Sequence, residues 1–310
     1  MAPIAPVALV SRLNRSRGSL LGLAIGDAVG TTVEFLQRGT FSPVTELTGG
    51  GPFHLEPGQW TDDTSMALCL ATSLVECGGF DPDDQMSRYC RWMNDGYFSS
   101  TGTCFDIGTT VQSALLRYQR DASAFAGSTD EHTAGNGCIM RLAPIPIFFF
   151  PDIDKVEHFA AESSRITHGA TECVDACRLF SRMLCCTLLG RSKNEILLGE
   201  ADSFTGAERI TAIARGDYRS KDESEIRGDG YVVNSLEAAL WSFARTDNYR
   251  DAVLTAVNLG DDADTTAAVC GQLAGAHYGE TGIPPEWLDR LTMREEIALL
   301  AEQLSARAAG

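Results

Sequence analysis

A chain of 310 residues, 44% of them apolar, holds enough hydrophobic side chain for one large core or two modest ones. Its 42 acidic residues against 25 basic ones leave a formal charge of −17, which repels nucleic acid and anionic membranes over most of the surface and excludes both as broad partners. The densest apolar run, IPIFFF at 145–150, is too short to span a membrane and is bounded by Pro144 and Pro151.

Residues 1–14 read as a flexible N-terminus, with basic residues after a short apolar run and none before it, the reverse of a secretory signal. The first helix is expected at about 17–30. It carries Gly22, Gly26 and Gly30 at four-residue intervals, a spacing that lets another helix pack closely, and Asp27 and Glu34 add acid near that packing point. A loop rich in Gly and Pro follows at 40–58. Then comes GQWTDDTSMALCLATSLVE, residues 58–76, in which Met66, Leu70 and Leu74 mark a helix behind Thr61, Asp62 and Asp63. Those acids suit a helix N-terminus, where side chains accept backbone N–H bonds and negative charge meets the helix dipole. They also suit a metal site, given partners elsewhere in the chain.

Further helices are expected at 83–94 and 107–120, the second headed by Asp106 as a candidate N-cap. In GNGCIMRLAPIPIFF, Gly135, Asn136 and Gly137 form either a plain turn or, at positive φ, a row of backbone N–H groups for a phosphate. A helix at 153–164 precedes ITHGATE, where His168 is a candidate site residue or a structural histidine. In the next helix, 171–190, Cys173 and Cys177 are conceivable metal ligands with His168, but small core residues fit the surrounding Val174, Phe180 and Leu184 better. A short helix at 206–214, a charged loop at 216–230 and a helix marked by Val233, Leu236, Leu240 and Phe243 follow. Tyr231 stands just before that helix. After a helix at 248–258, NLGDDADTTAAVCGQLAGAHYG sets Asp261, Asp262, Asp264 and Thr265 ahead of another helix marked by Val269, Leu273 and Ala276; a last helix is expected at 293–308.

Alternating strand patterns are nearly absent, and neither loop separates halves of different composition. The expectation is an all-α single domain over 1–310. The ten cysteines lack paired zinc-finger or redox spacings and read as reduced and buried, in a cytoplasmic and monomeric protein. Two helix starts that each combine Asp with Thr offer the hard oxygen ligands that Mg²⁺ or Mn²⁺ takes. Were they to meet, up to five carboxylates would share one pocket and could not all stay ionised. Two metal ions roughly 4 Å apart would resolve that conflict.

GDAVGTTVEF, GQWTDDTSMAL, GNGCIMRLAPIPIFF, THGATECVDACRLF, GYVVNSLEAALWSF and NLGDDADTTAAVCGQLAGAHYG, in this order and across nearly the whole chain, resemble the ADP-ribosylglycohydrolase family. The resemblance implies a compact orthogonal bundle of helices with two Mg²⁺ or Mn²⁺ ions. Carried over by motif, Thr61, Asp62 and Asp63 would supply one set of metal ligands and Asp262, Asp264 and Thr265 the other. Glu34 would lie at the rim of the metal site near the substrate ribose, and Gly135, Asn136, Gly137 and His168 would line the diphosphate side. FDIGTTVQSAL and GYVVNSLEAALWSF look most like the branch containing the glycohydrolase that reactivates nitrogenase reductase, which acts on ADP-ribosylarginine. There the residue matching Asp106 approaches the reacting ribose and the one matching Tyr231 lies beside the nucleotide. Asp261 departs from the family, many members of which carry glycine there.

The activity so implied is metal-dependent release of ADP-ribose from an ADP-ribosylated protein, most readily from arginine. Asp106, Glu34 and Asp63 are the candidate catalytic groups, since cleaving the bond builds positive charge at ribose C1. Serine-linked, poly- and O-acetyl-ADP-ribose are alternative substrates. A non-catalytic ADP-ribose-binding relative should have lost aspartates that are intact here, and a metal-dependent phosphoester hydrolase would instead release phosphate.

Overall fold

The computed structural model describes residues 11–307. Ser11 accepts the Asn14 amide at 3.2 Å and starts α1, Arg12–Gly30. Of the stretch expected to be flexible, residues 1–10 lie outside the described residues, while 11–14 already form the cap and first turn of α1. The chain continues through α2 (Asp62–Cys77), α3 (Pro82–Asp95), α4 (Thr109–Asp121), α5 (Pro144–Phe149), α6 (Ile153–Arg165) and α7 (Thr171–Leu188). It ends with α8 (Lys193–Leu198), α9 (Glu208–Ala214), α10 (Val232–Ala244), α11 (Tyr249–Val257), α12 (Ala263–Tyr278), α13 (Pro285–Leu288) and α14 (Arg294–Arg307). Short 3₁₀ turns and isolated bridges fill the loops, so the fold is all-α as expected.

α1 and α12 form the centre, and both are buried on every side over most of their length. They run antiparallel at a separation only glycine permits. A Cβ on Gly18 would stand 2.2 Å from the Gly275 carbonyl oxygen, one on Gly22 2.4 Å from that of Gly271, and one on Gly26 2.2 Å from that of Ala267. At the end of the seam a Cβ on Gly30 would be 2.4 Å from the Asp264 Cα. The glycine spacing thus docks the C-terminal end of α1 against the first turn of α12. α7, α10, α11 and α14 pack around this pair to complete the main core. A smaller cluster built on Met66, Met86, Tyr89, Trp92, Val111 and Leu115 fills the space between α2, α3 and α4.

Three short helices escape a periodicity reading. α5 coincides with the IPIFFF run, where Pro144 fits the first helical turn because its missing N–H has no helical partner there. α8 and α13 span 6 and 4 residues, too few to show a period. Among the described residues no helix is long and apolar enough to cross a membrane. All ten cysteines are unpaired; seven are buried, Cys104 and Cys186 are half-buried and Cys77 is exposed.

Candidate active site

The floor of the site forms where α1 ends and α2 and α12 begin. Asp27, fully buried on α1, receives four bonds from the start of α2: Oδ1 accepts the Thr61 amide at 2.9 Å and hydroxyl at 2.8 Å, and Oδ2 accepts the Thr64 amide at 3.0 Å and hydroxyl at 2.6 Å. The expected local cap is therefore corrected. Thr61 makes no side-chain cap bond, and the acceptor for the α2 N-terminus comes from another helix. That frees Asp62 and Asp63 for other work.

The two helix starts meet, each threonine facing the other's aspartate. Thr61 Oγ1 lies 3.2 Å from Asp264 Oδ2, and Thr265 donates to Asp63 Oδ2 at 3.3 Å. Glu34 and Asp106 join Asp264 in a group whose carboxylate oxygens lie within 4.8 Å of one another. Asp262 stands beside them and accepts the Asn136 amide at 2.6 Å. Asp63 Oδ1 and Asp264 Oδ1 are buried with no partner at all. Orphaned, inward-facing carboxylate oxygens are costly unless a cation completes them. With two threonine hydroxyls they make the hard-oxygen donor set suited to Mg²⁺ or Mn²⁺. The group of Cys173, Cys177 and His168, by contrast, lacks metal spacing: the Cys173 thiol donates to the Gly135 carbonyl at 3.3 Å.

Burial, then mutual repulsion, pushes these acids up. Asp106 rises to about 7 through burial and the charges of Asp262 and Asp27, and Glu34 to about 10 through burial and Asp106, Asp262 and Asp27. Asp62, Asp63 and Asp264 lie well above the carboxylate range for the same reasons, burial first. Above pH of about 4 the unfolded chain has shed protons that the folded chain keeps, so stability falls as pH rises through this window toward the raised values. Chelator-treated protein should therefore melt at progressively lower temperature between about pH 5 and about pH 9, and Mg²⁺ or Mn²⁺ should flatten the profile. A metal-free melting temperature that holds constant or climbs over that range would contradict the electrostatic account.

Above the floor opens a cavity of about 1010 Å³. Glu34, Asp62, Asp106, Asp262, Asp264 and Thr265 line it, whereas Thr61 and Asp63 lie behind its wall. Asp106 is not an N-cap. α4 begins at Thr109 behind Gly108, and Asp106 holds a left-handed φ of 56° that turns the preceding loop toward the acids. Asp261, at φ 57°, occupies backbone that glycine takes more readily. The 216–230 loop supplies wall residues Ser224, Ile226, Arg227 and Asp229, held in place by Arg38, which donates to the Leu259 carbonyl at 3.2 Å and the Ile226 carbonyl at 2.5 Å.

Gly135, Asn136 and Gly137 all line the cavity, but the expected row of free amides is not formed. None of the three has a positive φ, and the Gly135 and Asn136 amides already donate to Thr133 at 2.8 Å and Gly230 at 3.1 Å. The glycines make room for His168 instead, since a Cβ on Gly137 would stand 2.9 Å from its ring. His168 is buried, which lowers it to about 4 and keeps it neutral. Fully buried Arg141 donates to Thr167 Oγ1 at 2.6 Å, and that hydroxyl lies 2.8 Å from His168 Nδ1. Its Nε2 lies on the side facing Gly135 and Gly137. Tyr231 lies in an adjoining cavity of about 760 Å³ that shares Thr110, Gly135 and Gly230 with the first; its hydroxyl donates to Glu172 and Arg209 sits over its ring.

Sequence reasoning missed the capping role of Asp27, the bond from Asn136 to Asp262 and the Arg141–Thr167 pair behind His168. Each acts across segments distant in sequence, and only the acid at Asp27 left a local signal.

A family model described as ADP-ribosylglycohydrolase matches residues 9–310. ADP-ribosylarginine hydrolase Tri1 of Pseudomonas putida (strain GB-1) is 46% identical over 296 residues, covering 96% of this chain and 79% of its own. ADP-ribosyl-[dinitrogen reductase] glycohydrolase of Rhodospirillum rubrum is 32% identical, with 91% and 92% covered. A solved structure described as an ADP-ribosylglycohydrolase-related protein complex superposes with a TM-score of 0.85 at 42% identity, over 96% of this chain and 99% of that one.

Proposed function

Because the chain belongs to the ADP-ribosylglycohydrolase family, we propose that it hydrolyses the N-glycosidic bond between ADP-ribose and an arginine side chain of a modified protein, using two Mg²⁺ or Mn²⁺ ions. The observation that carries this reading is the meeting of two Asp/Thr helix starts, with two buried and unpartnered carboxylate oxygens, beside a large cavity. Relatives named for ADP-ribosylarginine and dinitrogen reductase support the linkage. Thr61, Asp62, Asp63, Asp262, Asp264 and Thr265 would hold the ions. Bound there, the ions would balance the carboxylate charge and orient the ribose hydroxyls.

The chain's own residues divide the remaining work. Asp106, poised near neutrality, can give or take a proton beside ribose C1. Glu34, beside Asp106 and Asp264 in the same acidic group, is placed to hydrogen-bond the sugar. Asn136 fixes Asp262, and His168, in the cavity lining, is the candidate partner of the diphosphate. We place this activity in the cytoplasm, in a monomer whose unpaired thiols stay reduced.

Incubation with arginine- and serine-linked ADP-ribosylated proteins, followed by mass spectrometry, tests the reading. Free ADP-ribose should appear from the arginine-linked protein, stop with a chelator and resume with Mg²⁺ or Mn²⁺. Release from serine alone, or release that ignores the chelator, would overturn it.

A further inference from the structure

Three phenylalanines from two loops, 34–61 and 96–108, meet at the cavity edge that Phe35 lines, and neither hydrophobic cluster of the fold includes any of them. The Phe53 ring lies 5.0 Å from that of Phe105 and 6.4 Å, edge-on, from that of Phe35. Phe35 lines the cavity and is 64% exposed. It also holds a φ of 64°, a conformation rarely taken by a bulky residue. Exposed aromatic surface held in strained backbone contributes nothing to the core, so its reason lies at the site.

Two of the rings adjoin site carboxylates directly in sequence, Glu34 with Phe35 and Phe105 with Asp106. Those carboxylates converge in the acidic group below, while Glu34 is only 3% exposed beside the open Phe35. The mouth therefore presents aromatic surface outside and negative charge within. A planar, delocalised cation fits that combination: it stacks on aromatic faces, is weakly hydrated and is drawn by the carboxylates.

We propose that Phe35, Phe53 and Phe105 form the subsite for the guanidinium of the modified arginine. The inference rests on the reading of this cavity as an arginine-linked ADP-ribose site. Phe35 meets the leaving group, and Phe53, itself packed against Phe105, supports its ring. A serine-linked substrate has no planar cation for the rings to recognise, so the subsite favours arginine.

Phe35→Leu keeps apolar bulk but removes the aromatic face. It should lower kcat/KM for an ADP-ribosylarginine peptide roughly 5-fold and leave the dissociation constant of free ADP-ribose, which lacks the guanidinium, unchanged. Phe35→Tyr should restore the parent value. An unchanged kcat/KM in Phe35→Leu, or an equal loss of ADP-ribose affinity, overturns the subsite while the parent's hydrolysis upholds the broader reading. A parent protein that binds ADP-ribose yet leaves the arginine-linked peptide intact overturns both.

Discussion

Asp264→Asn is expected to leave a folded protein that releases ADP-ribose at least about 100-fold more slowly than its parent. Asp264 occupies the first turn of α12 and is 1% exposed. One of its oxygens faces Thr61 and the other has no partner. The substitution preserves shape but replaces one inward-facing carboxylate oxygen with an amide nitrogen that carries two hydrogens and cannot bind a cation. It also removes one charge from a group whose members repel one another. Chelator-treated Asp264→Asn should therefore melt no lower than chelator-treated parent. The clearer signature is the lost response to metal: a ligand that binds only the folded state raises apparent stability, so Mn²⁺ should lift the parent's melting temperature and leave the variant's nearly unmoved. Titration calorimetry of both proteins checks the same point. Parent-like turnover in Asp264→Asn would remove the residue from the proposed ligand set.

Asp106→Asn should cut hydrolysis of ADP-ribosylarginine by about 10²- to 10⁴-fold, the range of a lost general acid or base. The structure makes this variant more diagnostic than the sequence does. Asp106 is no helix cap, so no cap is forfeited, and asparagine tolerates the left-handed φ of 56° well. Melting temperature should change little. The loss should fall mainly in kcat, because the amide can still touch the sugar but cannot carry the proton. A variant working at the parent rate would reduce Asp106 to a loop-shaping residue and leave Glu34 as the acid nearest the sugar.

The acidic cluster was legible because Asp and Thr at a helix start leave a local mark, and the chain leaves it twice. What joins the two marks is also partly visible: Gly22, Gly26 and Gly30 announce a close helix contact. Their partners could not be named from spacing, since Gly271 and Gly275 sit in a helix of small residues with several possible faces. Asp27 was hidden for a different reason. Its role is to cap a helix other than its own, and no pattern along one segment records a bond made to another. The loop at 135–137 left a plain turn and a row of amides both open; the turn is what forms, and its glycines are small to admit a histidine ring. Periodicity located the long helices within a few residues and failed for the helices of six residues or fewer.

The antiparallel pairing of α1 with α12 also sets a timetable at the ribosome. α1 emerges early, with the stretch from Leu20 to Val29 that the finished fold buries on every side, and its partner follows on the order of 10–50 s later at ordinary rates of translation. Through that interval the nascent helix must be sheltered by a chaperone or by provisional contacts with α2 and α7. The acids of α2 are likewise translated long before those of α12, so a product stalled anywhere short of α12 carries Asp62 and Asp63 without the residues that complete them. On the proposed site, hydrolytic competence arrives only with α12, and chains that stop short of it are expected to be inert.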